Sequence, residues 1–299
     1  MINNSTIDEP RYYLSPGVVE GILGAAGLVL PRRVWDYIRS LGSDGTAYAE
    51  IRGWRFDYVT PRYRYRPSVS EVASYCPSRR DIYLRRVAGV KPPRSQQAVY
   101  GMLVHEFFLE PFRLVDRGVT DVEELAAARR RLARRLGVRP DEFLLRVYSL
   151  GAALALQSLV EGGVPVRVEP QLPGAPVGLS DMVKPDLLVG FIPVEVTTAD
   201  PYSTYGGRKE LQLAGYALAL EAWTGFPVDY GVAVYIRRRE GGEPFPEWRV
   251  VPIDDALRRS FLRARDEAAM IVENGVDPGP AGDGCPAWCP FRGTVQDCP

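Results

Sequence analysis

Apolar residues recur at helical spacing across 98–115 and across 141–161, so both segments are expected as helices, the first carrying His105. Between them, Thr120-Asp121-Val122-Glu123 has the form of a capping box. The helix it opens has acids first and Arg129, Arg130, Arg131, Arg134 and Arg135 last, in the sense that suits the macrodipole. Upstream, 17–42 reads as short helices broken near Pro31, followed by a Gly-rich turn and an aromatic, extended stretch through Tyr65. Segment 68–86 reads as a helix opened by Ser68 or Ser70 and interrupted where Pro77 follows Cys76. Strand-length apolar runs follow. VPVRVEP is one, and VKPDLLVGFIPVEVTT holds two more about Gly190, which read as a hairpin. Residues 208–223 predict an amphipathic helix, DYGVAVYIRR and EWRVVPID are strands separated by a Gly/Pro-rich turn, and 254–274 is a long helix. The tail DPGPAGDGCPAWCPFRGTVQDCP lacks any such pattern and holds three of the four cysteines. A segment so poor in core residues needs a cross-link to be ordered.

Mixed helix and strand periods over 299 residues imply an α/β protein of two domains or one elaborated domain. Hydrophobic residues at 46% and charged residues at 25% exclude disorder throughout and a collagen-like repeat. Basic and acidic residues balance at 37 each, so a nucleic-acid partner must be held by local patches. The basic residues are 34 Arg and 3 Lys (Lys91, Lys184, Lys209), which leaves few candidates for chemistry that needs a lysine. The opening MINNSTIDEPRYYLSPG has neither the charged nor the apolar region of a secretory signal, and there is no bilayer-length apolar run, so a cytoplasmic protein with no membrane partner is expected. In a reducing compartment four cysteines suit a metal better than disulfides, although hyperthermophile cytosols do keep disulfides.

The chemistry-bearing pattern begins with Pro185-Asp186 and, beyond a turn, Glu195-Val196-Thr197. Paired strands would set Asp186 and Glu195 on one side of the hairpin end, where two close carboxylates are stable together as ions around a divalent cation. The competing reading is that acids flanking a turn face solvent. His105, in Gly101-x-x-x-His105, is either a ligand or a satisfied core histidine. Gln212-x-x-x-Tyr216 is a polar pair on one helix face that could hydrogen-bond a nucleic-acid backbone near the acids. Cys76, Cys285, Cys289 and Cys298 are each followed by proline, and four thiolates suit zinc or an iron–sulfur cluster. Between Pro61 and Arg94, nine basic residues, among them Arg79, Arg80, Arg85 and Arg86, face only Glu71 and Asp81 and alternate with tyrosines such as Tyr83. That is either the composition of a DNA-strand channel or a solvated face.

Taken in order, Tyr-Cys-Pro-x-Arg-Arg, Gly-x-x-x-His, Pro-Asp with Glu-x-Thr, Gln-x-x-x-Tyr and the C-terminal cysteines resemble the CRISPR-associated RecB-like PD-(D/E)XK exonucleases with an iron–sulfur cluster, in particular their larger archaeal branch. The resemblance runs from about Arg52 to Pro299. It implies a restriction-endonuclease-like core over 67–276 with a mixed central sheet flanked by helices, an N-terminal extension over 1–66, and a tail over 277–299 closing on Cys76. It further implies that His105, Asp186, Glu195 and the Val196 carbonyl hold Mn²⁺ or Mg²⁺, that Gln212 and Tyr216 assist, and that the four cysteines bind a 4Fe–4S cluster. Asp181 competes with Asp186 for the aspartate role. Thr197 stands where the family pattern has lysine, so a migrated Lys184 or Lys209 is needed, and strand alternation favours Lys184. The implied function is a metal-dependent DNA exonuclease or end-trimming nuclease in spacer acquisition, partnered by the adaptation integrase. The alternatives are a catalytically silent DNA-binding subunit, which Thr197 favours, and a zinc-stapled DNA-binding protein.

Overall fold

Helices α1 (Phe56–Val59), α2 (Val69–Val72), α3 (Arg80–Arg86), α4 (Gln96–Asp116), α5 (Val122–Leu136), α6 (Glu142–Val160), α7 (Arg208–Thr224) and α8 (Asp255–Asn274) surround one main sheet in a computed structural model. The structure describes residues 49–92, 95–160, 166–203, 208–286, 288–293, 295 and 298, so the helices expected over 17–42 lie outside the described residues. Strands β1 (Val166–Val168), β4 (Leu187–Val189), β5 (Ile192–Thr197), β6 (Tyr230–Arg238) and β7 (Pro244–Pro252) follow the order β1-β4-β5-β6-β7. Two further short strands, β2 (Leu172–Pro173) and β3 (Met182–Val183), pair with each other.

The expected hairpin is β4 and β5, antiparallel with Leu187 opposite Val194, and it turns at Gly190, whose φ of 57° suits glycine. β5 then pairs parallel with β6, Val194 beside Val232, because the chain crosses between them through α7. β6 and β7 are antiparallel, so the sheet is mixed.

Alternation along the strands divides the core. Val194, Val196, Val232 and Val234 pack under Phe107, Phe108 and Phe112 of α4 and Val147 and Tyr148 of α6. Ala233, Tyr235 and Val251 face Leu213 and Leu218 of α7 and Phe261 of α8 on the other side. The sheet is thus a middle layer between two layers of helices.

The break expected at Cys76-Pro77 is present, and two other local expectations shift. Cys76 lies between two short helices, the first capped by Ser68 in a reciprocal box with Glu71. At α5 the cap is Asp121 rather than Thr120, and its carboxylate accepts from the Glu124 N–H, placing both Glu123 and Glu124 in the first turn. Helix α7 is not amphipathic. Leu213 through Glu221 are buried without a break, because the sheet, α8 and α2 enclose it.

Ile51 and Val59 are buried in the α7–α8 layer, and Arg52 Nη1 bonds Glu221 Oε1 at 2.8 Å. Glu221 is fully buried on α7 and needs two cations, Arg52 and, at 2.6 Å, Arg258 of α8. From the segment read as an N-terminal extension, Ile51, Arg52 and Val59 thus reach the packed interior. Among the described residues no helix is long and apolar enough to cross a membrane.

Candidate active site

Glu195 alternates with Val194 and Val196 on β5, so its side chain points away from their apolar layer and toward α7. It is 3% exposed, and Lys209 Nζ of α7 stands 2.7 Å from its Oε2. Lys209, Gln212 and Tyr216 fall at i, i+3 and i+7, one stripe of the helix. Tyr216 is buried close to Glu195, whereas Gln212 is half-buried.

The histidine arrives from the opposite layer. His105 lies on α4 between the core residues Val104 and Phe107, and its Nε2 is 2.8 Å from Asp186 Oδ1. Gly101, one turn earlier, lets the helix lie against the end of β5, since a Cβ there would sit 3.1 Å from Thr198 Oγ1. Asp186 immediately precedes β4. Its Oδ2 accepts the Val196 N–H at 2.7 Å, which brings it across from Glu195. His105, Asp186, Glu195, Lys209 and Tyr216 thus meet at the end of the hairpin.

Burial and the nearby Asp186 push Glu195 above the usual carboxylate range, against the pull of Lys209 and His105. Burial alone would lower His105, but Asp186, Glu195 and Glu106 outweigh it, and the imidazole is raised. Burial, Glu195 and Asp186 hold the Tyr216 hydroxyl well above its ordinary value. Such a site carries more negative charge than its lysine offsets, and a nitrogen with two carboxylates is a donor set that suits a hard divalent cation. Among the described residues no three such side chains form a ready metal-holding group. Here the donors are closed on one another, His105 on Asp186 and Glu195 on Lys209.

Of the two lysines left open, one stands at the acids. Lys184 is exposed and lies before β4, so the alternation that aimed it at the Asp186 side does not apply. The lysine at the acids is Lys209. Helical spacing with Gln212 and Tyr216 was the sequence signal for it. Thr197 is elsewhere engaged, its Oγ1 accepting the Ala199 N–H at 3.2 Å. Asp181, the competing aspartate, is exposed and paired with Arg66 at 2.9 Å, away from His105.

The arginines expected on DNA each meet a carboxylate. Arg79 binds Glu267 at 3.1 Å and the Val72 carbonyl at 2.8 Å, and Arg80, 8% exposed, grips Asp277 with both Nε and Nη2 at 2.9 Å. Arg85 pairs with Asp81 and Arg86 with Glu71, while Tyr83 packs half-buried beside Cys289 and Phe291. Two of the four carboxylates, Glu267 of α8 and Asp277 of the tail, are ones a count of local acids overlooks. Arg85 and Arg86 remain exposed, whereas Arg80 is buried.

Cys76, Cys285, Cys289 and Cys298 line one small cavity with Arg80, Leu84 and Phe291. Burial raises the Cys285 thiol, and Cys289, Cys76 and Cys298 raise it further, so the four sulfurs share one field. All four are free thiols, and four sulfurs lining one cavity are a donor set that suits a thiophilic metal. Other contacts hold the tail to the Cys76 segment. Ser78 Oγ donates to the Gly279 carbonyl at 2.8 Å, and the rings of Tyr75 and Trp288 lie 5.0 Å apart.

Known proteins define the class to which this fold and site belong: the chain is a nuclease of CRISPR systems. The family model described as CRISPR-associated exonuclease Csa1 matches residues 30–148 and 141–297, and the chain belongs to that family. It is 32% identical to the CRISPR-associated exonuclease Csa1 of Thermoproteus tenax over 256 residues, covering 81% of this chain and 89% of that protein. To its counterpart from Saccharolobus solfataricus it is 30% identical over 275 residues, covering 81% and 90%. A shorter match, 33% over 124 residues, covers 40% of the chain and 58% of the CRISPR-associated exonuclease Cas4 of Aeropyrum pernix.

Proposed function

We propose that the chain is a divalent-metal-dependent DNA exonuclease that trims DNA ends in spacer acquisition, built on a PD-(D/E)XK-type core and acting in the cytoplasm with the adaptation integrase subunits. The observation that carries this reading is the 2.7 Å contact of Lys209 with Glu195, which supplies the positive charge that Thr197 lacks. His105, Asp186, Glu195 and the Val196 carbonyl would hold Mg²⁺ or Mn²⁺, which supplies Lewis acidity at the scissile phosphate when bound. Opening the His105–Asp186 and Glu195–Lys209 contacts frees the donors for it. Lys209, released from Glu195 but fixed by α7, faces the phosphate and stabilises the charge that builds as a water attacks. Tyr216 keeps its proton and orients Glu195, and Gln212 on the same stripe is placed to hydrogen-bond the DNA backbone. Cys76, Cys285, Cys289 and Cys298 hold a 4Fe–4S cluster that fastens the tail to the segment between α2 and α3.

The test is cleavage of end-labelled single- and double-stranded DNA. Wild type with Mn²⁺ should release nucleotides from the ends, chelator should stop it, and Glu195→Ala should abolish it while retaining DNA binding. Cleavage by Glu195→Ala at the wild-type rate would remove the site. A silent wild type, with activity gained in Thr197→Lys, would make the chain the DNA-binding subunit instead.

A further inference from the structure

We infer that the groove between α5 and α6 is a docking site for the DNA backbone, separate from the cluster of acids; this rests on the reading of the chain as a DNA nuclease. Arg129, Arg130, Ala133 and Arg134 of α5, with Pro140 and Leu145, line an open groove of about 410 Å³. From Leu125 to Pro140 the sequence has no acidic residue. Among the described residues the ion pairs of α5 belong to Arg135, with Glu110 at 3.4 Å and Glu106 at 3.9 Å. Arg129 lies 6.0 Å from the Tyr148 ring, and Arg130 and Arg134 are exposed. This is the reverse of α3, where the arginines are matched by carboxylates.

The macrodipole accounts for arginine in the last turn of α5, not for Arg129 and Arg130 in mid-helix. Like charges at i and i+4, as in Arg130 and Arg134, weaken a helix, so the arrangement has no internal benefit. An external polyanion supplies one. The walls are rigid: Leu125, Ala128, Leu132 and Ala133 are buried, and Tyr148 Oη of α6 donates to the Leu125 carbonyl at 2.7 Å. Arg130 and Arg134 are about 6 Å apart along the helix axis, close to the separation of neighbouring phosphates on a strand. The rest of the lining, Ala133, Pro140 and Leu145, offers no side-chain donor or acceptor that would read a peptide. The groove also shares a support with the acids. Asp141, next to Pro140, accepts from Tyr100 Oη at 2.8 Å, and Tyr100 lies on α4 with His105, about 7.5 Å of helix rise away.

The experiment titrates labelled DNA against the full chain at several salt concentrations. Arg130→Ala plus Arg134→Ala should weaken binding about tenfold or more and flatten the log–log salt slope by roughly 0.9 for each duplex phosphate that is no longer neutralised. Arg130→Lys plus Arg134→Lys should keep most of the slope. The melting temperature and the saturated cleavage rate should hold in both, since neither arginine is part of the proposed catalytic machinery. Wild-type affinity and slope in the alanine pair would overturn the DNA assignment and leave the groove to an acidic protein surface. Failure of wild type to bind DNA at all would instead overturn the nuclease reading, and this inference with it.

Discussion

Lysine 209 shows how a single charge can move between elements without leaving a site. The residue after Val196 on β5 is Thr197, whose hydroxyl is held by the Ala199 N–H, while the ammonium arrives from α7 on the stripe that also bears Tyr216. If that ammonium stabilises the transition state, Lys209→Met should lower single-turnover cleavage by on the order of a hundredfold or more. Lys184→Ala, at an exposed position, should cleave like wild type. Because the substitution at Lys209 also leaves buried Glu195 without its cation, a melting curve belongs beside the rate. Thr197→Lys in the Lys209→Met background should restore activity if charge, and not fold, was removed. Equal rates in the Lys209 variant and wild type, or inactivity in the Lys184 variant alone, would refute the assignment. At this scale the sequence was half legible. The spacing of Lys209, Gln212 and Tyr216 is plain in it, but that the stripe faces Glu195 depends on how α7 crosses the sheet, which no local pattern encodes.

Elements with a strong period were readable in advance. The hairpin about Gly190, the pair β6–β7 and the helices α4, α6 and α8 stand where apolar periodicity places them. β2 and β3 are two residues each, too short to leave a period, and α7 misled because a helix enclosed on every side loses its polar face. At 79–86 a count of local charges misses partners that arrive from far along the chain, Glu267 on Arg79 and Asp277 on Arg80. Hydrogen bonds to charged groups are worth about 1.5–3 kcal/mol when buried, and Arg79 and Arg80 have side chains only 12% and 10% exposed. Arg79→Ala with Arg80→Ala should therefore lower the melting temperature and leave the salt slope of DNA binding unchanged. A stable double variant with a shallower slope would return these arginines to the DNA.

At the scale of the molecule, the tail beyond Asp277 folds back on the segment between α2 and α3, and two kinds of force hold it there. Arg80 grips Asp277, Trp288 meets Tyr75, and Phe291, 1% exposed, packs with Leu84 and Cys289. The thiols of Cys76 and Cys285, 209 positions apart in sequence, supply the second if a cluster joins them. A metal that binds only the folded arrangement contributes its binding free energy to folding. The described residues of the tail have little regular structure of their own. Removal of the cluster should thus loosen the tail before it loosens the sheet, whose strands are buried between helices on both faces. Cys289→Ala should yield colourless protein in which proteases cut beyond Asp277 first, and in which amide exchange rises in the tail and in the Cys76 segment while β5 and β6 stay protected. Adding Arg80→Ala should deepen the same local loosening, because it removes the ion pair that remains. A brown Cys289→Ala protein with a resistant tail would show that the sulfurs hold no cluster, and uniform exchange across tail and sheet would show that the clamp and the core unfold as one.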